Sequence, residues 1–555
     1  MNSSGTLGAE LTTVMEAGAE PRADRAVPAI IVRRRWAIPL AIAFLGFVLN
    51  TIVAVKMSAT YDEASHVQYG AAILKGSTER SSFTFDSKMP ISALNALPRA
   101  ISEVLRARGV AVGFADKLGG LLATRFPTIF GAFGLSLLVY LYAESLYGRV
   151  AGLFAQFLFV ISPNIIAHST LATTDLYIAL TTILFLYCFR RFLLRSSFAN
   201  ALFAAATLAL AQLTKFVATF LYPAVLLFVI SLALYSKYGH DKRYRLTLRQ
   251  IGLLLVLHLV CFVAILNVGF VFDRTFTPLS KYQFRSVTFK SLQQVPFLRA
   301  VPLPLPSAYF EGMDWMTYDN GLAPVNMVLL GDVRGPELAR SDGFPSYYLA
   351  AYGLKEPLGM QLLLLLGLWW TARHRRLADF LVGEWLLLVT AGVILLMLSL
   401  FSRSQIGIRH ILPVLAIFVI LSGGAFADVL TSSWRQRVLL AACLLWTVVS
   451  VASYFPHMIP YFNELLTDRR AAYRFLADSN LDWNQDKQEV QDFLRSNPDV
   501  VLNPPQPVTG RILVSANFMA GVIPRKADYW VRRNGLKPVA QVGYAHLLFV
   551  IPADK

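Results

Sequence analysis

About eleven separate apolar runs, each near the ~20 residues a helix needs to cross a bilayer, decide what this chain can fold into. They lie at 36–56, 118–142, 149–166, 174–194, 199–215, 217–235, 251–272, 356–371, 380–401, 409–428 and 437–455. A backbone in hydrocarbon must satisfy its own hydrogen bonds, so these runs predict an α-helical polytopic membrane protein. The 555 residues are 55% hydrophobic and only 15% charged, which agrees with that class. A net charge of +17 raises the question of nucleic acid. The basic residues, however, cluster between the apolar runs, where they orient helices, so no nucleic-acid partner is expected. Cys188, Cys261 and Cys443 all fall inside apolar runs, which argues against a disulfide framework or a thiolate metal site.

Residues 1–35 are polar, end in Arg33-Arg34-Arg35, and read as a cytoplasmic tail. Alternation from that side puts Arg149, Arg190-Arg191 with Arg195, and the 237–249 basic cluster in the cytoplasm. Arg373, Arg375, Arg376, Arg435 and Arg437 join them, as the positive-inside rule requires. The outer face then receives a first loop at 57–117, a long segment at 273–355 and a terminal region at 456–555. That region mixes a helix-like run at 482–494 with strand-like runs at 511–515 and 546–551, predicting a small α/β extracytoplasmic domain. The expected organisation is a tail (1–35), a transmembrane domain (36–455) and this outer domain.

The first loop carries Asp62 and Glu63, with His66 close behind. On a helix, Asp62, Ser65, His66 and Tyr69 share one face while Glu63 points roughly 100° away. One carboxylate is then free for an acceptor hydroxyl or a metal, and the other for support. The same residues also read as an N-cap acid with a first-turn glutamate. Further charges stand at the outer membrane edge: Arg125, Asp175, Lys215, Lys355 and the pair Arg409-His410. Each alone reads as a snorkelling side chain; gathered on the side of the acid pair, they mark function. Arginine grips phosphate bidentately and lysine acts as a point charge. A carboxylate beside that phosphate serves as a general base or a metal ligand. The combination describes group transfer from a lipid phosphate, without naming the group.

Several motifs, taken in order, carry a family resemblance. They are Tyr61-Asp62-Glu63 with His66, Thr124-Arg125-Phe126-Pro127, Ile161-Ser162-Pro163-Asn164 with Ala167-His168, Thr173-Thr174-Asp175 and Leu213-Thr214-Lys215. Leu330-Gly331-Asp332, Gly343-Phe344, Tyr347-Tyr348 and Lys355-Glu356-Pro357 follow, then Ile406-Gly407-Ile408-Arg409-His410 through Pro413. Pro460-Tyr461-Phe462-Asn463-Glu464 and Asp478-Ser479-Asn480-Leu481-Asp482-Trp483 complete the series. Together they resemble the membrane glycosyltransferases that use a polyprenyl-phosphate-linked sugar, the family 39 branch of the GT-C superfamily. Its relatives include protein O-mannosyltransferases and lipid A aminoarabinose transferases. Two places depart from the pattern: Lys88-Met89-Pro90-Ile91 stands where relatives often have His-Pro-Pro, and Asn484 stands where they have glycine.

The resemblance implies a GT-C fold and inverting transfer of a sugar to a lipid, glycan or protein hydroxyl. Asp62 would be the catalytic base or acceptor-positioning acid, supported by Glu63. Arg125, Lys215, Lys355, Arg409 and His410 would bind the donor phosphate, and His66, Asp175 and Tyr347 would line the acceptor cavity. No cofactor is required; a divalent cation, if one takes part, would sit at Asp62 and Glu63. The expected partners are the polyprenyl-phosphate-linked sugar, its acceptor and membrane lipids. The expected location is a bacterial inner (plasma) membrane, with the site facing the periplasm or exterior. A flippase for the same lipid would show inverted repeats and midplane-broken helices in both halves, which the sequence lacks. An oligosaccharide ligase would use the same phosphate with a polymeric glycan.

Overall fold

The computed structural model describes residues 36–76, 89–239, 244–322, 325–336, 338–523 and 529–552. The expected tail at 1–35 and Lys88 lie outside them. Among the described residues, eight helices are long and apolar enough to cross a membrane: Ala37–Lys56, Leu121–Tyr147, Asp175–Leu194, Phe216–Tyr238, Leu248–Gly269, Leu377–Phe401, Ile408–Phe426 and Trp434–Ala452. The other three expected spans are also helical, but each departs from a plain crossing. The run at 149–166 is not one helix: Arg149–Ile161 and Pro163–Ser169 meet at a 62° bend. Pro163 is the cause, since it disfavours helical backbone at the residue before it. Ser162 accordingly turns extended and its hydroxyl caps the second helix at the Ile165 N–H. Phe198–Ala211 has only 14 residues and Leu358–His374 only 17, so both fall short of a ~30 Å hydrocarbon layer at 1.5 Å per residue.

Burial sorts the helices into centre and periphery. Ile408–Phe426 is 83% buried within the protein, whereas Leu248–Gly269 is 11% buried and presents its leucines and valines outward. A helix apolar on every side and that exposed needs lipid as its solvent. Around the centre, Gly148 (φ 88°) turns the chain between Leu121–Tyr147 and Arg149–Ile161. Gly152 then allows contact so close that a Cβ would lie 3.0 Å from the Tyr140 carbonyl oxygen.

The segments between the spans are structured. The first loop folds into the helices Glu63–Leu74, Ser92–Ala107 and Val112–Leu118. The long segment contributes Ser307–Leu322, a hairpin pairing Met327–Leu329 with Asp332–Arg334, and Tyr347–Lys355. Beyond Ala452 the two expected strands form as Gly510–Ser515 and His546–Ile551. They pair antiparallel with Ile512 opposite Phe549, at the centre of a four-stranded sheet. Val501–Leu502 adds parallel at one edge and Ala540–Val542 antiparallel at the other. The expected helix at 482–494 begins late, as Lys487–Ser496. Residues 482–486 form a turn instead, because Asn484 sits in the left-handed region (φ 71°) and its N–H is taken by the Asp482 carboxylate at 3.2 Å. Val490 carries the helix onto Val500 and onto Leu513 and Leu548 of the sheet.

Candidate active site

A cavity of about 910 Å³ lies where the ends of the Asp175–Leu194, Phe216–Tyr238, Leu377–Phe401 and Ile408–Phe426 helices meet the C-terminal sheet region. Its walls differ in character. Phe216, Phe220, Met313, Met316, Met397 and Phe401 make an apolar arm, while Asn484, Lys487, Asn503, Ser515 and Asn517 make a polar one. Asp62, His66, Asp175, Lys215, Arg409 and His410, six of the residues expected from sequence, line the same space.

Their positions follow from local breaks in helix. Asp62 occupies the N-cap position of Glu63–Leu74 but makes no capping hydrogen bond. Its carboxylate Oδ2 instead accepts from Arg409 Nη1 at 2.6 Å. The capping reading is thus right about position and wrong about the side chain. Asp175 opens its helix after the Thr173-Thr174 turn, and Lys215 lies in extended backbone between Phe198–Ala211 and the Phe216–Phe220 turn. Lys215 Nζ donates to Asp175 Oδ1 at 2.5 Å, and Arg409 Nη1 stands 3.8 Å from Asp175 Oδ2. Arg409 also spreads its guanidinium over the Trp483 ring, 4.2 Å from the centroid. Two cations and two carboxylates therefore interlock in one row. His410 pairs its Nδ1 with the Tyr348 hydroxyl at 3.3 Å, and His66 Nδ1 meets Ser92 Oγ at 3.3 Å.

Four expected site residues are placed elsewhere. Arg125 and Glu63 are 0% and 1% exposed and form a closed bidentate pair, Nε to Oε1 at 2.8 Å and Nη2 to Oε2 at 2.7 Å. The remaining Arg125 hydrogens go to the carbonyls of Ala54, Met57 and Ser58, so all five N–H donors are used. Glu63 also accepts from the N–H groups of Thr60 and Ala172. Arg125 has no donor left for a phosphate, and Glu63 cannot share a metal with Asp62. This buried clasp instead fixes the loop that presents Asp62. Lys355 is likewise fully buried, and its Nζ donates to the carbonyls of Ile459 (2.7 Å) and Asn480 (2.6 Å). Burial pulls it well below the ordinary lysine range, against the opposing charge of Glu356. Lys355 ties loops together and does not reach the cavity. Tyr347 is 1% exposed, its hydroxyl accepting from Asn480 Nδ2 at 2.9 Å behind the wall. Among the described residues no group of three or more His, Cys, Asp or Glu side chains is arranged to hold a metal ion.

The C-terminal region supplies groups that the sequence reading left out of the site. Asp478, Asp482 and His546 line the cavity. The Asp478-Ser479-Asn480 turn clasps the segment leading to Arg409: Ser479 Oγ donates to the Ile406 carbonyl (2.8 Å), and Asn480 Oδ1 accepts from the Ile408 N–H (2.9 Å). Gly407 is what allows this approach, since a Cβ there would overlap the Ser479 hydroxyl. Burial pushes the Asp478 carboxyl up; Arg409 and the Ser479 N–H pull it down, Asp62 and Asp482 push it up, and it settles at about 7. Asp482 is also raised, chiefly by burial, and accepts from the Ser515 hydroxyl. His546 Nδ1 pairs with Asp486 Oδ2 at 2.9 Å. The Asp478–Trp483 stretch was visible in the sequence as one of the motifs that carry the resemblance; His546 had no signal there beyond its place in a strand.

Residues 118–266 match the family described as dolichyl-phosphate-mannose-protein mannosyltransferase, a stretch that includes Arg125, Asp175 and Lys215. Over that segment the chain is similar to this family. No curated protein matches the chain. Solved structures similar to it include the archaeal oligosaccharyltransferase AglB from Archaeoglobus fulgidus, in complex with an inhibitory peptide and a dolichol-phosphate. That likeness has 12% identity and a TM-score of 0.45, covering 76% of this chain and 56% of AglB. ArnT from Cupriavidus metallidurans, bound to undecaprenyl phosphate, is similar at 12% identity and a TM-score of 0.42, covering 94% of this chain and 99% of that one. The chain thus spans little more than half the length of AglB.

Proposed function

We propose that this protein is an integral-membrane glycosyltransferase. It moves a sugar from a polyprenyl-phosphate donor to a hydroxyl of a lipid, glycan or protein acceptor, by inverting displacement. The observation that carries the reading is the row Asp62–Arg409–Asp175–Lys215, set in one cavity between an apolar and a polar arm. The family match over 118–266 supports it independently. A prenyl chain fits the Phe216–Phe401 arm, a phosphate fits Lys215 and Arg409, and sugar or acceptor hydroxyls fit the amide-rich arm. The phosphate competes with Asp62 for Arg409, so donor binding releases Asp62 to meet the acceptor oxygen beside the anomeric carbon. His410 borders the phosphate, and His66 and Asp175 border the reacting centre. The distribution of basic residues supports a site on the extracytoplasmic face of a bacterial inner (plasma) membrane, with the tail at 1–35, the helical part at 36–455 and residues 456–555 as separate domains.

The test is binding of undecaprenyl phosphate to purified protein in nanodiscs. Arg409→Ala and Lys215→Ala should each weaken it at least tenfold, more than the accompanying loss of stability from the broken ion pairs explains once the folded fraction is measured alongside. Arg409→Lys should be impaired as well, because the planar fork is lost while the charge remains. Unchanged affinity in both alanine variants would sink the phosphate assignment. Mass spectrometry of lipid-linked sugars accumulating in a deletion strain then names the donor.

A further inference from the structure

We propose that Asp478, in the C-terminal wall of the cavity, is the group that takes the acceptor's proton, while Asp62 orients the acceptor and answers to Arg409. The proposal rests on the transferase reading above. It starts from what each carboxylate around Arg409 is already doing. Asp62 is held by Arg409 at 2.6 Å. Asp175 is held on Oδ1 by Lys215 at 2.5 Å and on Oδ2 by the Thr173 hydroxyl at 3.2 Å. A carboxylate clamped by a cation is a weak base. The donor phosphate engages Arg409 and Lys215, so these two carboxylates belong to the row that receives it.

Asp478 differs on both counts. It faces the cavity and feels Arg409, yet no cation is in contact with it among the described residues. Its Oδ1 accepts the Ser479 N–H at 2.6 Å, and its Oδ2 carries no hydrogen bond among the described residues. The neighbouring Asp482 is fully occupied by comparison, its two oxygens taken by the Asn484 N–H and the Ser515 hydroxyl.

The open oxygen is also rigidly aimed. Asp478 holds a left-handed backbone (φ 57°), an uncommon state for a non-glycine residue that costs on the order of 1 kcal/mol and persists where surroundings enforce it. The enforcement is visible: Asn517 Oδ1 accepts the Asp478 N–H at 2.8 Å, and the next two side chains are pinned to Ile406 and Ile408. Asp478 and Arg409 are therefore fixed to one another through three residues of backbone. The balance of the step is simple. The acceptor oxygen forms the bond to the anomeric carbon as the bond from that carbon to the phosphate oxygen breaks. The phosphate leaves with the electron pair, and the hydroxyl proton passes to Asp478 Oδ2. A carboxyl poised at about 7 suits that transfer at neutral pH. The charged groups facing it are Arg409, which lowers it, and Asp62 and Asp482, which raise it.

The experiment uses the full chain in nanodiscs with synthetic undecaprenyl phosphates carrying mannose, glucose or N-acetylglucosamine, and an envelope extract as acceptor pool. Release of undecaprenyl phosphate is followed from pH 5 to 9, alongside the infrared carboxyl band of the substrate-free protein. Wild-type kcat should rise with pH through about 7. Asp478→Asn should lower kcat by on the order of 10²-fold or more and abolish that limb, with little change in donor KM. Asp62→Asn should lower kcat yet keep the limb. The carboxyl absorbance titrating near pH 7 should be smaller in Asp478→Asn than in wild type, the remainder belonging to the buried Glu356. Persistence of the limb in Asp478→Asn, or a band there as large as in wild type, overturns the assignment. Release of nothing by wild type from any of the three donors overturns the transferase reading instead, an outcome set apart because the band still titrates.

Discussion

Replacing Arg125 with alanine distinguishes a structural clasp from a ligand-binding arginine. The wild-type guanidinium is fully buried and makes five hydrogen bonds, two of them to Glu63. Alanine leaves the Glu63 carboxylate buried without its countercharge, although it still accepts from Thr60 and Ala172. Breaking one side of a buried pair costs about 3–5 kcal/mol. The stranded carbonyls of Ala54, Met57 and Ser58 push the loss toward the upper end of that range, at roughly 1 kcal/mol per unsatisfied group. At about 1.4 kcal/mol per factor of ten, opening of this region should become more frequent by roughly 10³-fold or more. The opening should be local at first, because the clasp joins the end of Ala37–Lys56 to the start of Glu63–Leu74. Hydrogen exchange in nanodiscs should therefore show lost protection across 57–74, with a lowered melting temperature. The double variant Arg125→Met with Glu63→Leu should recover much of the loss, since apolar side chains of similar size leave no charge uncompensated. If Arg125→Ala kept wild-type protection and melting but lost affinity for undecaprenyl phosphate, Arg125 would be a ligand residue and the clasp argument would fail.

Two further outcomes follow from the C-terminal region. Asn484 has φ 71°, so Asn484→Gly should be tolerated or mildly stabilising, whereas Asn484→Val should destabilise by about 1–2 kcal/mol; chemical denaturation of the purified protein reads both. Burial lowers the His546 pKa, but the hydrogen bond and charge of Asp486, with the charge of Asp482, outweigh it and raise the group above its usual 6.5. A raised folded value means that this stabilisation is complete below pH 6.5 and is lost as pH climbs through the folded value. Melting temperature should therefore fall as pH rises above about 6.5, and His546→Gln should flatten that slope.

Much of the architecture was legible because hydrocarbon imposes one local rule: a span must be helical and apolar for about twenty residues. Every expected span is helical, and the strands at 511–515 and 546–551 declared themselves by their β-branched and aliphatic content. What a run of apolar residues does not carry is where it stops. The Pro163 bend, the 14-residue Phe198–Ala211 helix and the turn at 482–486 depend on capping and on a single left-handed residue. The candidate site divides in the same way. That charges at the membrane edge gather on one side was legible, since an ionised group in that setting needs a partner or a function. Which need each one meets was not, because partners are assigned by distance in space. Asp62 and Glu63 are neighbours in the chain, yet one faces Arg409, 347 residues away, and the other is sealed against Arg125. Arg125 and Arg409 look alike in sequence, but one has five donors committed and the other lies in a cavity wall. Asp478 and His546 joined the site only because the C-terminal sheet docks over the helix ends. Which groups need a partner is written in the order of residues; which of them hold the fold and which are left for chemistry is settled by packing, because a buried charge is committed by whichever partner the fold brings within about 3 Å.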